Sequence, residues 1–166
     1  MQKNVKAIPE GCHTVTAGLV VRGAAKAIEF YKNAFGAKEL MRMPGPGGMI
    51  MHAELRIGDS VIFVSDEIPG MSAAPAPGVA PSFYLFLYTP EVDTVFNRAV
   101  AAGAQVAMPV SDMFWGDRYG KLTDPFGHSW GVATHVEDVS PDEMARRSAE
   151  WTASMSKAAA ATAGQS

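Results

Sequence analysis

The chain has 166 residues, 48% hydrophobic and 19% charged, with a formal net charge of −3. That length suits one domain with its own core, needing neither disulfides nor a structural metal. The charge gives no electrostatic case for nucleic acid or an anionic membrane, and Cys12 has no second cysteine to pair with. No secretory leader pattern opens the chain and no apolar run nears the ~18 residues of a membrane span, so a cytoplasmic protein is expected.

Residues 1–12 end in Pro9-Glu10-Gly11 and read as a lead-in arm. Thr14–Val21 is rich in β-branched residues and predicts a strand. Ala24, Ala27, Ile28, Tyr31 and Phe35 recur at helical spacing, and Gly36 after them suits a left-handed helix end. Lys38–Met43 predicts a short strand and Pro44–Gly48 a loop. Met49–Ile57 and Ser60–Asp66 predict two strands around the tight turn at Gly58-Asp59. The run 68–81, rich in Pro, Gly and Ala, is poor in large apolar residues and reads as a linker.

After it the same order returns. Ser82–Tyr88 predicts a strand, and Val92, Val95, Phe96 and Ala99 form a helical stripe. Gln105–Pro109 predicts another strand, and Phe114–Trp130 a hairpin around Asp124-Pro125-Phe126-Gly127, where Pro presets φ and Gly takes a positive one. Helix-end glycines 36 and 103 lie 67 residues apart, and that shift also lays Ile28 on Val95 and Leu55 on Leu122. The architecture derived is α+β, with two tandem β-α-β-β-β modules at 13–67 and 82–135 forming one domain over 13–135. Ser140-Pro141-Asp142-Glu143 supplies a cap, a first-turn proline and a capping box for a C-terminal helix over 140–157. Residues 158–166 read as a small, polar arm.

In Met51–Ile57 the alternation is sharp: Met51, Ala53, Leu55 and Ile57 on one face, His52, Glu54 and Arg56 on the other. The 67-residue shift carries the polar row onto Tyr119, Lys121 and Thr123. Edge-to-edge pairing of the modules would set both rows on one curved surface; the alternative is a solvated sheet face. Phe114, Trp115, Asp117, Arg118, Tyr119 and Lys121 crowd the mouth of the hairpin. They read as the rim of a small-molecule pocket, against the plainer reading of rings that are simply core. His52 and Glu54 are the candidates for moving a proton, because a carboxylate two residues away orients an imidazole or raises its pKa. The plainer reading of His52 is a surface histidine. His128 is expected to bond the turn, and His13 and His135 to lie at the rim.

These segments together resemble a known superfamily. Those that carry the likeness are Val20–Ala25, Ala27–Tyr31 and Phe35-Gly36-Ala37, then His52–Asp59, Met113–Gly120 and Thr123–His128. Over residues 13–157 the chain resembles the vicinal-oxygen-chelate superfamily, in its PhnB-like, glyoxalase/bleomycin-resistance branch. The resemblance implies a cupped eight-stranded mixed sheet, a homodimer and a small-molecule ligand. In metal-using members a divalent ion is held by His, Gln or Glu near the start of the first strand and on the last strand of each module. Those positions fall here on Thr16, about Ile62, Phe83 or Tyr84, and Gly131, which do not suit a divalent cation. No metal cofactor is therefore expected; the alternative donor set is His52 and Glu54 with a residue of a second copy.

Two functions follow. The first is a binding protein that holds a small aromatic or carbonyl-containing ligand without a metal, using Arg56, Phe114, Trp115, Asp117, Arg118, Tyr119 and Lys121. The second is an isomerase, lyase or dioxygenase-type enzyme, metal-assisted or working through a proton on carbon. There Arg118 or Lys121 would polarise a carbonyl and His52 or Glu54 would move the proton. A scaffold with an unused cleft is the plainest third reading.

Overall fold

The computed structural model describes residues 5–163. The first module runs β1 (Gly18–Val21), α1 (Ala24–Phe35), β2 (Lys38–Pro44), a 3₁₀ turn (Pro46–Gly48), β3 (Ile50–Ile57) and β4 (Ser60–Asp66). The second runs β5 (Tyr84–Tyr88), α2 (Val92–Ala101), β6 (Gln105–Asp112), β7 (Asp117–Thr123) and β8 (Ser129–His135), and α3 (Pro141–Ala163) closes the chain. The eight strands form two four-stranded sheets of identical topology, β1-β4-β3-β2 and β5-β8-β7-β6. In each the first strand is parallel to the last and the other pairs are antiparallel, so both sheets are mixed.

The repeat read from the sequence is visible in the core. Ile28, Leu55 and Leu122 are fully buried and Val95 nearly so, each beneath or on its module's helix. One apolar cluster runs through both modules. Phe30, Tyr31 and Phe35 of α1 meet Phe126 and Trp130 of the second module, with Phe35 and Trp130 ring centroids 4.5 Å apart. Arg98 of α2 donates to the Ala34 carbonyl at 2.8 Å, tying the two helices together.

The ends of α1 follow from local chemistry. Gly36 takes φ 67° and its N–H returns to the Lys32 carbonyl, the left-handed close expected of it. At the other end Gly23 (φ 89°) offers no side chain to cap the helix. Asp66, from the end of β4, takes that role: Oδ1 accepts from the N–H groups of Gly23 and Ala24 at 2.9 and 2.8 Å. Its Oδ2 accepts from Ile50 N–H, so one carboxylate fixes a helix start and a strand start together.

Several boundaries differ from the sequence expectation. The first strand begins at Gly18 rather than near Thr14, because Thr16 Oγ1 exchanges hydrogen bonds with the backbone of His13 and turns the chain. Strand β6 continues past Pro109 to Asp112; it is an edge strand, where a missing N–H breaks no ladder. The linker is anchored: Ile68 and Ser72 form a bridge, Ala74 is buried, and Arg22 donates to the Pro75 carbonyl at 2.8 Å while paired with Glu67. Helix α3 runs beyond residue 157 into the stretch read as an arm. The rest of that arm, 164–166, and residues 1–4 of the lead-in arm lie outside the described residues.

Candidate functional site

Strand alternation divides each sheet into a face covered by helices and an open face. In β3, Ala53, Leu55 and Ile57 are buried in the core, so His52, Glu54 and Arg56 occupy the open face. His52 rests against Phe63 of β4, ring centroids 4.9 Å apart. Its Nε2 lies 3.5 Å from Glu54 Oε1, an ion-pair distance when the ring is protonated, and both side chains are about one-third exposed. Arg56 is crossed by the lead-in arm: a Cβ on Gly11 would sit 2.9 Å from its Nη2, and among the described residues its buried Nε has no partner.

In β7, Leu122 is buried in the core and Gly120 lies against Phe96 of α2, which puts Asp117, Tyr119, Lys121 and Thr123 on the open face. Register then lays out that face in rows across the second sheet. Gln105, Thr123, Ser129 and Tyr84 stand side by side; Lys121, Gly131 and Phe86 form the next row; Tyr119, Ala133 and Tyr88 the next; Asp117 and His135 the last. The rings make a continuous shelf. Phe86 and Tyr119 stack with centroids 5.4 Å apart, flanked by Tyr84 and Tyr88, and Trp115 meets Tyr119 at 5.9 Å. Gly131 makes the stack possible, since a Cβ there would come within 2.7 Å of Tyr119 Cε2. Tyr84, Phe86 and Tyr88 remain 52, 40 and 61% exposed, so these three rings are not core.

Asp117, only 3% exposed, gathers one end of the shelf. It accepts from Tyr88 Oη at 3.0 Å, Trp115 Nε1 at 3.1 Å and His135 Nδ1 at 2.8 Å. His135 Nε2 donates in turn to Asp138 at 3.0 Å. With a carboxylate on each nitrogen, Asp138 first and Asp117 second, its pKa is raised above the ordinary value. Partial desolvation of its hydroxyl, with the hydrogen bond and charge of Asp117 adding to it, likewise raises the Tyr88 phenol. At the turn after β6, Phe114 sits between Trp115 and Trp151 of α3, at 5.1 and 5.6 Å.

The predicted site residues thus fall into three places. His52, Glu54 and Arg56 share the open face of the first sheet. Trp115, Asp117, Tyr119 and Lys121 share that of the second, with Phe114 at its edge against α3. Among the described residues no hydrogen bond, ion pair or ring contact links the two rows. Arg118 points the other way: Asp93 of α2 holds it through two hydrogen bonds of 2.7 and 2.8 Å, and Asp112 through a third at 3.0 Å. These bonds stabilise the cation, so its pKa rises, and the guanidinium is not presented beside Tyr119. Phe86 and Tyr88 are missing from the sequence-predicted site, and Tyr84 enters there only as an unsuitable metal position; their signal was the alternation Tyr-Leu-Phe-Leu-Tyr, aromatic at every second position.

His128 is buried and bonds the Val20 carbonyl from Nε2 at 3.0 Å, while its backbone N–H donates to Asp124. The Asp124 turn is itself a junction. Oδ1 accepts from the N–H groups of Phe126 and His128, and Oδ2 from Trp130 Nε1 and, 93 residues away in sequence, Tyr31 Oη at 2.8 Å.

The positions that hold a divalent ion in metal-using relatives can be tested by donor chemistry. Thr16 is turned into a local bond with His13, Ile62 faces the core, and Gly131 has no side chain. Strand β5 begins at Tyr84, which makes Tyr84 rather than Phe83 its open-face residue. A phenol, a hydroxyl, an alkyl group and a hydrogen are not a donor set for a divalent cation. Among the described residues no three His, Cys, Asp or Glu side chains gather as a metal-holding group.

Two β-α-β-β-β modules of identical strand order, each with one open face, define the fold class. The sequence model of the Glyoxalase/Bleomycin resistance protein/Dioxygenase superfamily matches residues 13–132, and the chain belongs to that superfamily. The Mycobacterium tuberculosis protein Rv0887c is 43% identical over 130 residues, spanning 76% of each chain. The crystal structure of TioX from Micromonospora sp. ML1 superposes with a TM-score of 0.61 at 27% identity, over 75% of this chain and 99% of that one. The PhnB protein of Bacillus cereus shares the fold at 21% identity, with a TM-score of 0.58 over 74% of this chain and 99% of its own. No helix among the described residues is long and apolar enough to cross a membrane.

Proposed function

We propose that the chain binds a small ring-bearing, carbonyl-containing molecule on the open face of its second module, and holds it without a resident metal. The observation that carries this is the exposed shelf Tyr84-Phe86-Tyr88 beside Tyr119 and Trp115, next to the ammonium of Lys121. Aromatic faces stack planar ligands, and a few convergent polar groups then fix their orientation. The donor chemistry at the superfamily's metal positions supports a metal-free mode of holding.

The working unit is a homodimer in the cytoplasm. Support for the dimer comes from Met41, Met43 and Met51 with Leu40 on the first sheet and the ring shelf on the second, all exposed in one chain. A second copy could cover them and bring a polar row of one chain to the shelf of the other. The enzyme reading rests on His52 and Glu54, half-buried side by side on the first sheet.

Intrinsic fluorescence tests the binding reading, with 1-naphthoate as probe and Trp115 as reporter. Saturable quenching in the wild type, lost in Trp115→Phe while Trp130 and Trp151 remain, is the expected result. An unsaturable response in the wild type would remove the shelf as a binding site. Chelation before titration should leave the affinity unchanged, and elemental analysis should find no stoichiometric divalent metal. If a substrate is turned over, Glu54→Gln should abolish turnover; an unchanged rate would end the enzyme reading.

A further inference from the structure

The linker 68–81 does more than join the modules. Its second half, from Pro75 to Pro81, forms one wall of a cavity of about 650 Å³ whose opposite wall is the open face of the second sheet. That wall presents Gln105, Thr123, Ser129 and Lys121, the first row of the shelf and the cation of the second. The strap is held at its base. Arg22 grips the Pro75 carbonyl, and Gly127 packs so closely beneath Pro75 that a Cβ would lie 2.9 Å from it.

Three charged side chains line this cavity, and two are already satisfied. Arg22 is paired with Glu67 at 2.9 Å and bonded to the carbonyls of Pro75 and Ala74. Asp124 has two donors on each oxygen. Lys121 is the exception: its Nζ lies 5.0 Å from the Tyr84 ring centroid, and no carboxylate pairs with it among the described residues. Among the described residues the hydroxyls of Thr123 and Ser129 and the Gln105 amide also make no hydrogen bond, although Ser129 is only 6% exposed. An unpaired cation and three idle polar groups therefore converge on one roofed space that opens onto the ring shelf.

Resting on the binding reading above, we propose that this strap-covered end is an anion subsite that takes the carboxylate of an aromatic acid. Lys121 Nζ, Thr123 Oγ1 and Ser129 Oγ would donate to the carboxylate while the ring lies on Phe86 and Tyr119. Spacing agrees: Lys121 and Tyr119 are two residues apart on one strand, roughly 6.8 Å. A single six-membered ring and its carboxylate span that length. One unpaired charge matches a monoanion; a phosphate dianion would call for a second free cation, and Arg22 is engaged. The strap keeps bulk water from one side of the pair, which strengthens the charge-assisted bond.

Calorimetric titration of the full chain with 1-naphthoate and with its neutral isostere 1-naphthamide tests this. The acid should bind at least about tenfold tighter, the effect of one added hydrogen bond between charged groups. Lys121→Met should bring the two affinities together, Lys121→Arg should keep the preference, and added salt should weaken the acid alone. Equal affinities in the wild type, or a preference that survives Lys121→Met, would overturn the anion subsite and leave the ring shelf standing. Failure of both probes to bind would overturn the shelf and the subsite together. The comparison of the two probes on the wild type decides the matter even if a variant fails to fold.

Discussion

Removing one hydroxyl tests how the two modules are locked together. Tyr31 is fully buried on α1, and its Oη donates to Asp124 Oδ2 at 2.8 Å across the module boundary. Tyr31→Phe keeps the ring and its contacts with Phe35, Phe126 and Trp130. Apolar burial is therefore unchanged, and the loss is one hydrogen bond to a buried carboxylate that retains three other donors. Such a bond contributes about 1.5–3 kcal/mol. In a chain of this size 1 kcal/mol shifts the melting temperature by about 2–4 °C, so a fall of about 3–12 °C is expected by calorimetry at neutral pH. A pH series adds a signature that simple loss of packing would not give. Burial first, and Asp124 second, push the Tyr31 phenol well above its ordinary value. Above pH ~10 the unfolded chain therefore loses this proton before the folded one, and wild-type stability declines as pH rises. The variant lacks that decline, so the gap between the two proteins should narrow above pH ~10. A melting temperature within about 1 °C of wild type at neutral pH would refute the assignment of Tyr31–Asp124 as the inter-module lock.

Three further outcomes follow from the open face and its borders. Gly131→Ala places a methyl 2.7 Å from Tyr119 Cε2 and 3.2 Å from Phe86 Cδ2, so one ring must move; 1-naphthoate should bind about tenfold more weakly, by titration. The His135 pKa, followed by NMR of its ring protons, should lie above the ordinary value and fall back in Asp138→Asn. Because the folded value is the higher one, His135 should stabilise the fold most below pH ~6.5, and the advantage over His135→Gln should fade as pH rises through the raised pKa. Arg118→Ala should leave 1-naphthoate affinity within twofold of wild type, because Asp93 and Asp112 hold that guanidinium on the helix side. A larger loss by the same titration would contradict the division of faces.

Much of the frame was legible from short-range rules. The stripes of α1 and α2, the helix-closing Gly36 and the turn at Asp124–Gly127 each depend on residues a few positions apart, and the repeat shows when such local patterns recur 67 residues on. So did the alternation that sets His52, Glu54 and Arg56 opposite Leu55. The same period of two separates Arg118 from Tyr119 and Lys121; crowding at the hairpin mouth obscured it. The Tyr-Leu-Phe-Leu-Tyr pattern of β5 announced an aromatic face, but not what lay opposite.

What sequence alone determined is the pair of modules, the order of elements along each and the alternation within single strands such as β3, because backbone periodicity and capping are local. Tertiary structure decided which groups remain free. Asp117 looked available and is surrounded by Tyr88, Trp115 and His135; Arg118 looked available and is held by α2; Lys121 has no ion-pair partner among the described residues and lies beneath a strap that begins 46 residues before it. Whether a charge finds a partner depends on chain segments far apart in sequence meeting in space, and no local pattern encodes that meeting.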